Sequence, residues 1–241
     1  MDINKKTIIC LPGLGGHESV FYEYQKFFNG HGMHFLQIIN EEKSFKEITE
    51  ICGERAGNIV FLTNCYGAQL AIRLINSLPW NQDKISGLII IEPFFSEFHH
   101  WRRPARTINK LILLALSAAD KIGFKRKWYR KNVDYNELAR YPLFFQPIFD
   151  MQWQNLDDYF KKILSLLYFQ LPKQKINVPT LLIFSPKGFM QNKGRRKIVS
   201  DFFQNSSIEE IQTKSHNIIT LAKDEIGDMI NSWLSRLTYK I

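Results

Sequence analysis

The sequence predicts an α/β protein whose mostly parallel sheet is covered by helices on both faces. Short, fully apolar runs alternate along the chain with segments of helical spacing, which is typical of parallel strands buried on both sides. With 241 residues the chain is long enough for one large core. One stretch, 94–175, consists of long helical segments without predicted strands. It predicts a helical cap inserted into a core formed by 1–93 and 176–241.

Each predicted element follows from a local pattern. The strands are short apolar runs bounded by polar residues, glycine or proline, and we expect them at 7–11, 35–39, 59–62, 85–91, 179–184 and 208–212. The core helices have apolar residues three and four positions apart, and we expect them at 19–28, 45–52, 66–77, 197–203 and 223–237.

Composition limits the class of protein. The three cysteines are too few and too scattered for a disulfide framework, which indicates a reducing compartment. The first six residues are polar and do not resemble a signal peptide. The longest apolar run, 111–119, is well short of the roughly 20 residues that span a bilayer. We therefore expect a cytoplasmic protein.

One reactive side chain lies where an apolar run turns into a helix. The run from Ile59 to Leu62 leads through Thr63 to Cys65, and Gly67 follows. A strand that turns sharply into a helix strains the residue at the bend and exposes its side chain above the sheet. The helix and strand pass closely only if a small residue follows, and Gly67 supplies it. The pattern predicts a nucleophile elbow, although a lone Cys after a strand is also typical of a small buried hydrophobic residue.

Two further features complete a pattern along the chain. A glycine-rich loop, Pro12 to Gly16, follows the first strand, and His216 follows the last one. With the elbow, they resemble the α/β-hydrolase fold over nearly the whole chain, with 94–175 as the cap. The thiol at the elbow resembles the minority of that fold that uses cysteine, such as dienelactone hydrolases and polyhydroxyalkanoate synthases.

The resemblance implies a role for each motif. Cys65 takes the place of the nucleophile and His216 that of the general base. The backbone amides of Tyr66 and Leu14 take the places of the oxyanion donors. An ordinary loop histidine and a plain turn are the alternatives for His216 and the glycine-rich loop. The family often has His before the first glycine of this loop, and this chain has Pro12.

Two positions depart from the family pattern. The acid usually follows the strand at 179–184, but Gly188 stands where the Asp would fall. The fold can also take its acid from the end of the preceding strand, where Glu92 lies. The site is then a Cys65–His216–Glu92 triad, or a Cys–His dyad in which Glu92 only caps a neighbouring group. Thr63 replaces the first glycine of the elbow, so we expect a shifted helix or a slightly distorted turn.

The cap combines apolar helices with basic clusters, at 101–106 and 125–131. Its apolar surface either packs the cap onto the core or forms a pocket for a hydrophobic acyl group. The net charge of +9 suggests docking of an acidic acyl carrier protein or a CoA phosphate, or contact with an anionic membrane. A solvated basic face without a partner is the alternative. No nucleic-acid fold signature accompanies the clusters, which makes nucleic acid a poor candidate.

The sequence therefore predicts an acyl-transfer enzyme, either a thioesterase or an acyltransferase. Cys65 would form an acyl intermediate from an ester or thioester, released by hydrolysis, transfer or cyclisation. One alternative is a degenerate hydrolase that acts as a binding module. Another is a lyase or isomerase in which Cys65 and His216 exchange protons. The sequence has neither a metal-ligand cluster nor a phosphate-binding loop, so we expect no cofactor.

Overall fold

The computed structural model of the protein describes residues 5–14, 18–28, 30–36, 38, 41–54, 58–77, 84–93, 95, 102–121, 127–129, 153–185, 193–212 and 218–237. In chain order its strands are β1 (Thr7–Leu11), β2 (Gly32–Phe35), β3 (Ile59–Asn64), β4 (Ile85–Ile91), β5 (Lys127–Tyr129), β6 (Trp153–Asn155), β7 (Thr180–Phe184) and β8 (Ser206–Glu210). The helices are a 3-10 helix (Glu18–Phe27), α1 (Glu41–Glu54), α2 (Tyr66–Ser77), α3 (Arg102–Lys121), α4 (Leu156–Tyr168), α5 (Lys193–Phe202), α6 (Ile218–Leu221) and α7 (Lys223–Arg236).

Six strands form one sheet in the order β2-β1-β3-β4-β7-β8, and every neighbouring pair is parallel. The predicted parallel sheet is therefore confirmed. Strands β1 and β7 are buried at every position, because helices cover both faces and alternate side chains point to opposite sides. The buried cluster on one face includes residues of β1, β3, β4 and β7 together with the 3-10 helix and α7. All six strands run in one direction, so their carboxyl ends lie along one edge.

Three expectations about the elements are wrong. The second strand is Gly32–Phe35 rather than 35–39. It is an edge strand that pairs with β1 from Thr7 onward. Because its side chains are only half-buried, it need not be apolar. The segment expected as a helix at 19–28 is a 3-10 helix, whose buried Phe21 and Tyr24 have the three-residue spacing of that helix type. The stretch 94–175 contains β5 and β6, an antiparallel pair of three residues each. Such short strands leave no detectable alternation in a sequence.

The chain divides into two compact units. One, which we call the sheet unit, comprises 1–13, 18–94 and 172–241. The other, which we call the helical unit, comprises 14–17 and 95–171. Within the helical unit α3 packs against α4, and the ring of Phe95 stacks on that of Phe169 with centroids 6.1 Å apart. The predicted core and cap boundaries, 93/94 and 175/176, stay a prediction.

Candidate active site

Cys65 alone connects β3 to α2. Its φ is +46°, in the left-handed region that residues other than glycine rarely adopt. Its amide donates to the carbonyl of Ile91 at 3.1 Å, and its carbonyl accepts from the amide of Ala68 at 3.2 Å. Both peptide groups of the bend are therefore fixed, one to the sheet and one to the helix. This is the geometry of a nucleophile elbow.

Two glycines lie beside the bend, and one of them is required there by steric contact. A Cβ at Gly67 would lie 2.2 Å from the carbonyl oxygen of Leu11 and 2.7 Å from that of Pro12, so α2 passes the end of β1 at a distance that only glycine allows. A Cβ at Gly13 would lie 3.4 Å from the Cβ of Cys65. The start of the glycine-rich loop thus lies against the residue at the bend.

Thr63 is accommodated without the distortion that we expected. Its side chain is fully buried, and its hydroxyl donates to the carbonyl of Ile89 in the neighbouring strand at 2.8 Å. The ladder keeps its register there, with Thr63 opposite Ile90. The hydroxyl thus satisfies its own hydrogen bond inside the sheet, and α2 still begins directly after Cys65.

The three cysteines differ sharply in their surroundings. Cys10 and Cys52 are fully buried, whereas Cys65 is partly exposed. Burial raises the pKa of the Cys10 thiol well above its usual value and that of Cys52 to about 11. Thiols react as thiolates, so Cys10 and Cys52 have the environment of inert structural cysteines. Cys65 is the only one of the three that solvent reaches.

Glu92 directly follows β4 at the edge where Cys65 lies. Its side chain is fully buried, and its φ is +49°. The carboxylate oxygen Oε1 accepts a hydrogen bond from the amide of Ser185 at 2.5 Å. Because the Cys65 amide binds the carbonyl of Ile91, the residue just before Glu92, the structure brings both predicted residues to neighbouring strand ends. Glu92 thus accepts from the Ser185 amide, and the choice between a triad and a dyad stays a prediction.

Of the other predicted site residues, Tyr66 directly follows Cys65 as the first residue of α2. His216 and Gly188 lie outside the described residues. Strand β8 ends at the same edge as β3 and β4, and His216 follows it by six positions, so its proximity stays a prediction. Leu14 is described but belongs to the helical unit. The role of its amide as an oxyanion donor also stays a prediction.

Sequence reasoning missed a polar network behind the elbow. The hydroxyl of Tyr66, a fully buried side chain, donates to the carboxylate of Glu41. Arg73 binds both oxygens of the same carboxylate, at 2.8 and 3.1 Å. The network ties the first residue of α2 to the first residue of α1. Its members are 25 and 32 positions apart in sequence, so no local motif could have revealed it.

Among the described residues, no group of three or more His, Cys, Asp or Glu side chains is arranged to hold a metal ion. None of the helices in the described ranges combines the length and the apolar character needed to cross a bilayer.

Comparison with known proteins identifies the fold. No protein-family model matches the chain, and no curated protein matches its sequence. Solved structures do match over nearly the full length. One is an alpha/beta hydrolase enzyme from a Medee basin deep-sea metagenome library, which is 14% identical with a TM-score of 0.67. The match covers 100% of this chain and 94% of that one.

Two further matching structures belong to proteins that are named for an enzymatic activity. The monoacylglycerol lipase of Paleococcus ferrophilus is 16% identical with a TM-score of 0.62, over 96% of this chain and 95% of that one. The Vlm2 thioesterase domain, solved with a bound dodecadepsipeptide, is 14% identical with a TM-score of 0.58, over 94% and 96% of the two chains. With the strand order and the elbow, these matches show that the chain has the α/β-hydrolase fold, which confirms the predicted fold. The resemblance to the cysteine-dependent members of that fold stays a prediction.

Proposed function

We propose that this protein is an acyl-transfer enzyme in which Cys65 is the nucleophile. The observation that carries the proposal is the left-handed conformation of Cys65 between β3 and α2, at a residue that is partly exposed. A strained conformation at a non-glycine residue costs about 1–3 kcal/mol and persists mainly where function depends on it. A buried structural cysteine needs no such strain, and neither Cys10 nor Cys52 has a positive φ.

The reaction begins with attack of the Cys65 thiolate on the carbonyl carbon of an ester or thioester. His216 accepts the thiol proton, and the carbonyl oxygen becomes an oxyanion. The amide of Tyr66 is well suited to bind it, because the first amides of a helix have no partner within the helix. We assign the second donor to the amide of Leu14. The tetrahedral intermediate then expels the alcohol or thiol, which takes the proton from His216, and leaves an acyl-Cys65 thioester.

The second half of the reaction returns the enzyme to its starting state. Water, or a bound alcohol, amine or thiol, attacks the acyl-Cys65 carbonyl while His216 removes its proton. The tetrahedral intermediate then breaks the bond between the carbonyl carbon and the Cys65 sulfur, and the sulfur takes the proton back from His216. The acyl-enzyme is itself a thioester, so its energy is close to that of a thioester donor. This favours passing the acyl group to an acceptor or closing a ring, in competition with hydrolysis. A hydrophobic acyl group on CoA or on an acidic acyl carrier protein suits the basic chain.

The role of the acid decides between a triad and a dyad. Glu92 lies at the correct edge, but one of its oxygens accepts from the Ser185 amide. A carboxylate has lone pairs for several donors, so this bond leaves room for a second donor such as an imidazole. We propose Glu92 as the group that orients His216. A Cys–His pair depends on such a group less than a Ser–His pair does, because a thiol ionises more easily than an alcohol.

A second candidate rests on the same contact. If the Ser185 amide is the whole role of Glu92, the chain is a degenerate hydrolase that binds ligands without turning them over. A lyase or isomerase in which Cys65 and His216 exchange protons is a third candidate. For all three, the free cysteines are consistent with a reducing, cytoplasmic setting.

The test is the intact-protein mass after brief incubation with acyl thioesters of increasing chain length. The native protein should gain the mass of one acyl group, and Cys65→Ala should gain none. Cys52→Ala is the matched control, since it removes a buried thiol and should acylate like the native protein. His216→Ala should slow acylation by at least about a hundredfold, the usual contribution of a general base.

Each outcome points to one candidate. An adduct that appears and decays with release of free acid indicates a thioesterase, and one that decays only when an acceptor is added indicates an acyltransferase. An adduct that Cys65→Ala also forms contradicts the proposal. The absence of any adduct or turnover, together with tight binding of a donor, supports the binding module.

A further inference from the structure

Helix α3 presents an apolar face to solvent. Ile108, Leu111 and Leu114 are 56%, 60% and 67% exposed, more than any other large apolar side chain in the described ranges. Their three-residue spacing places them on one face of the helix. Asn109, by contrast, is 5% exposed. Asn109 is therefore turned inward, Ile108, Leu111 and Leu114 face solvent, and Ile112 and Leu113 between them are half-buried.

Cations and an aromatic ring border this face. The guanidinium of Arg106 lies 3.8 Å from the ring centroid of Tyr168, and the ammonium of Lys110 lies 5.7 Å from it. Arg106 also donates two hydrogen bonds, of 2.6 and 3.1 Å, to the carbonyl of Leu167, which fixes its position. Lys110 and Tyr168 are exposed. Over its length α3 has five Lys or Arg residues and one acidic residue.

This combination narrows the choice of partner. A helix that lies in the plane of a membrane interface inserts apolar side chains among the acyl chains, places cations at the phosphates and holds tyrosine at headgroup level. An acidic carrier protein held by charge alone would leave the three apolar side chains in water. A second copy of this chain would bring two basic helices together, and their charges would repel. An anionic lipid surface satisfies the apolar and the basic side chains at once.

We propose that α3 docks this protein onto an anionic membrane surface through Ile108, Leu111 and Leu114, with Lys110 and Arg106 at the lipid phosphates. The helix lies along the surface, and Tyr168 of α4 occupies the headgroup layer beside it. This surface does not involve Cys65, so docking is independent of the proposed acyl transfer. Both the native protein and Cys65→Ala should bind vesicles equally.

The experiment measures co-sedimentation of the full chain with vesicles of phosphatidylcholine alone or mixed with phosphatidylglycerol. We expect binding to the mixed vesicles, with little to the neutral ones, and weaker binding at high salt because ions screen the attraction. Leu111→Asp and Leu114→Asp should each weaken binding at least about tenfold, because each removes an inserted side chain and adds a repelled charge. Lys110→Glu should remove much of the preference for anionic lipid.

The matched control is Ile198→Asp, which places the same charge at a 50% exposed isoleucine on α5 of the sheet unit. It should bind vesicles like the native protein. A second readout does not depend on the charged variants. An environment-sensitive dye is attached to Leu111→Cys in the Cys65→Ala background, and its fluorescence emission should shift to the blue when mixed vesicles are added. The emission of the same dye on Ile198→Cys should not shift.

Several results would overturn the proposal. One is equal vesicle binding by Leu111→Asp and the native protein, and another is no binding to either kind of vesicle. Binding to an acidic carrier protein that Leu111→Asp abolishes, without vesicle binding, would assign the face to that protein. A concentration-dependent dimer that Leu111→Asp dissociates would assign it to a second copy of the chain.

Discussion

The elbow segment, 59–77, and helix α3 are both rich in apolar residues, but the structure uses them in opposite ways. In the elbow segment the apolar side chains from Ile59 to Ile75 are buried, and Cys65 is partly exposed at their centre. In α3, Leu111 and Leu114 are exposed and the polar side chain of Asn109 is buried. The difference separates apolar residues that build the fold from apolar residues that remain available to a partner.

The comparison shows what apolar pattern alone can predict. An uninterrupted apolar strand has no polar face, so it must be buried on both sides, and its environment follows directly. An amphipathic helix has one apolar face, and the pattern fixes the existence of that face but not what covers it. The sequence predicted apolar helices in the cap, and in α3 the structure leaves Ile108, Leu111 and Ala115 exposed while Ile112 is half-buried.

Leucine truncation gives the largest expected effect. Leu62→Ala removes a side chain that is fully buried in β3, and it should lower the free energy of unfolding by about 3–5 kcal/mol. Leu114→Ala removes a side chain that is 67% exposed, and its effect should stay within about 0.5 kcal/mol. Denaturant titrations of the two variants measure both values. Equal losses would mean that α3 packs against the fold through its leucines.

Gly67→Ala tests the close approach of α2 to β1. The new Cβ would lie 2.2 Å from the carbonyl oxygen of Leu11, and the backbone has little freedom to move away. We expect a loss of about 3 kcal/mol in unfolding free energy.

The control for this variant is Gly53→Ala in α1, where nothing lies within 4 Å of the new Cβ. It should raise the stability by roughly 0.5 kcal/mol, because alanine favours the helix. A Gly67→Ala protein as stable as the native one would show that α2 does not pass β1 as closely as described.

Tyr66→Phe tests the network that the sequence did not reveal. It removes the hydroxyl that donates to Glu41 and leaves Arg73 paired with that carboxylate. The expected loss is about 1.5–3 kcal/mol, as for a hydrogen bond to a charged group. Tyr22→Phe is the control, since its exposed hydroxyl lies 3.5 Å from Glu18 and should contribute almost nothing. Identical thermal midpoints for Tyr66→Phe and Tyr22→Phe would show that the hydrogen bond to Glu41 does not stabilise the fold.

The smallest expected effect is the contribution of His31 to the pH dependence of folding stability. Burial lowers the pKa of His31 below its usual 6.5, with help from the charges of Lys6 and Lys5. The amide of Lys6 also donates to its Nδ1 at 3.2 Å, which requires that nitrogen to be unprotonated. The unfolded chain therefore binds the proton more readily, so stability falls as the pH drops below 6.5 and levels off below the lowered pKa.

His31→Gln should flatten this part of the stability profile relative to the native protein. Denaturant titrations between pH 7.5 and 5 would measure the difference between the two chains. A difference that does not change with pH would assign that acid sensitivity to other groups.

The sheet and the elbow were predictable because their signals are local. The run 85–91 is buried at nearly every position, so its limits were predicted to the residue, and Gly67 stands where steric contact demands it. The edge strand Gly32–Phe35 was misplaced because partial burial weakens the apolar signal. The bond from Ser185 to Glu92 and the pairing of Glu41 with Tyr66 join distant segments, so only the folded chain reveals them.

The most direct test of the central claim is the rate at which each cysteine reacts with iodoacetamide between pH 5 and 9. We expect Cys65 to be alkylated first, and faster than a free thiol at neutral pH, while Cys10 and Cys52 react only after unfolding. His216→Ala should reduce the rate at Cys65 to that of an ordinary thiol. If native Cys65 already reacts like an ordinary thiol, or more slowly than Cys52, then the elbow does not hold an activated nucleophile.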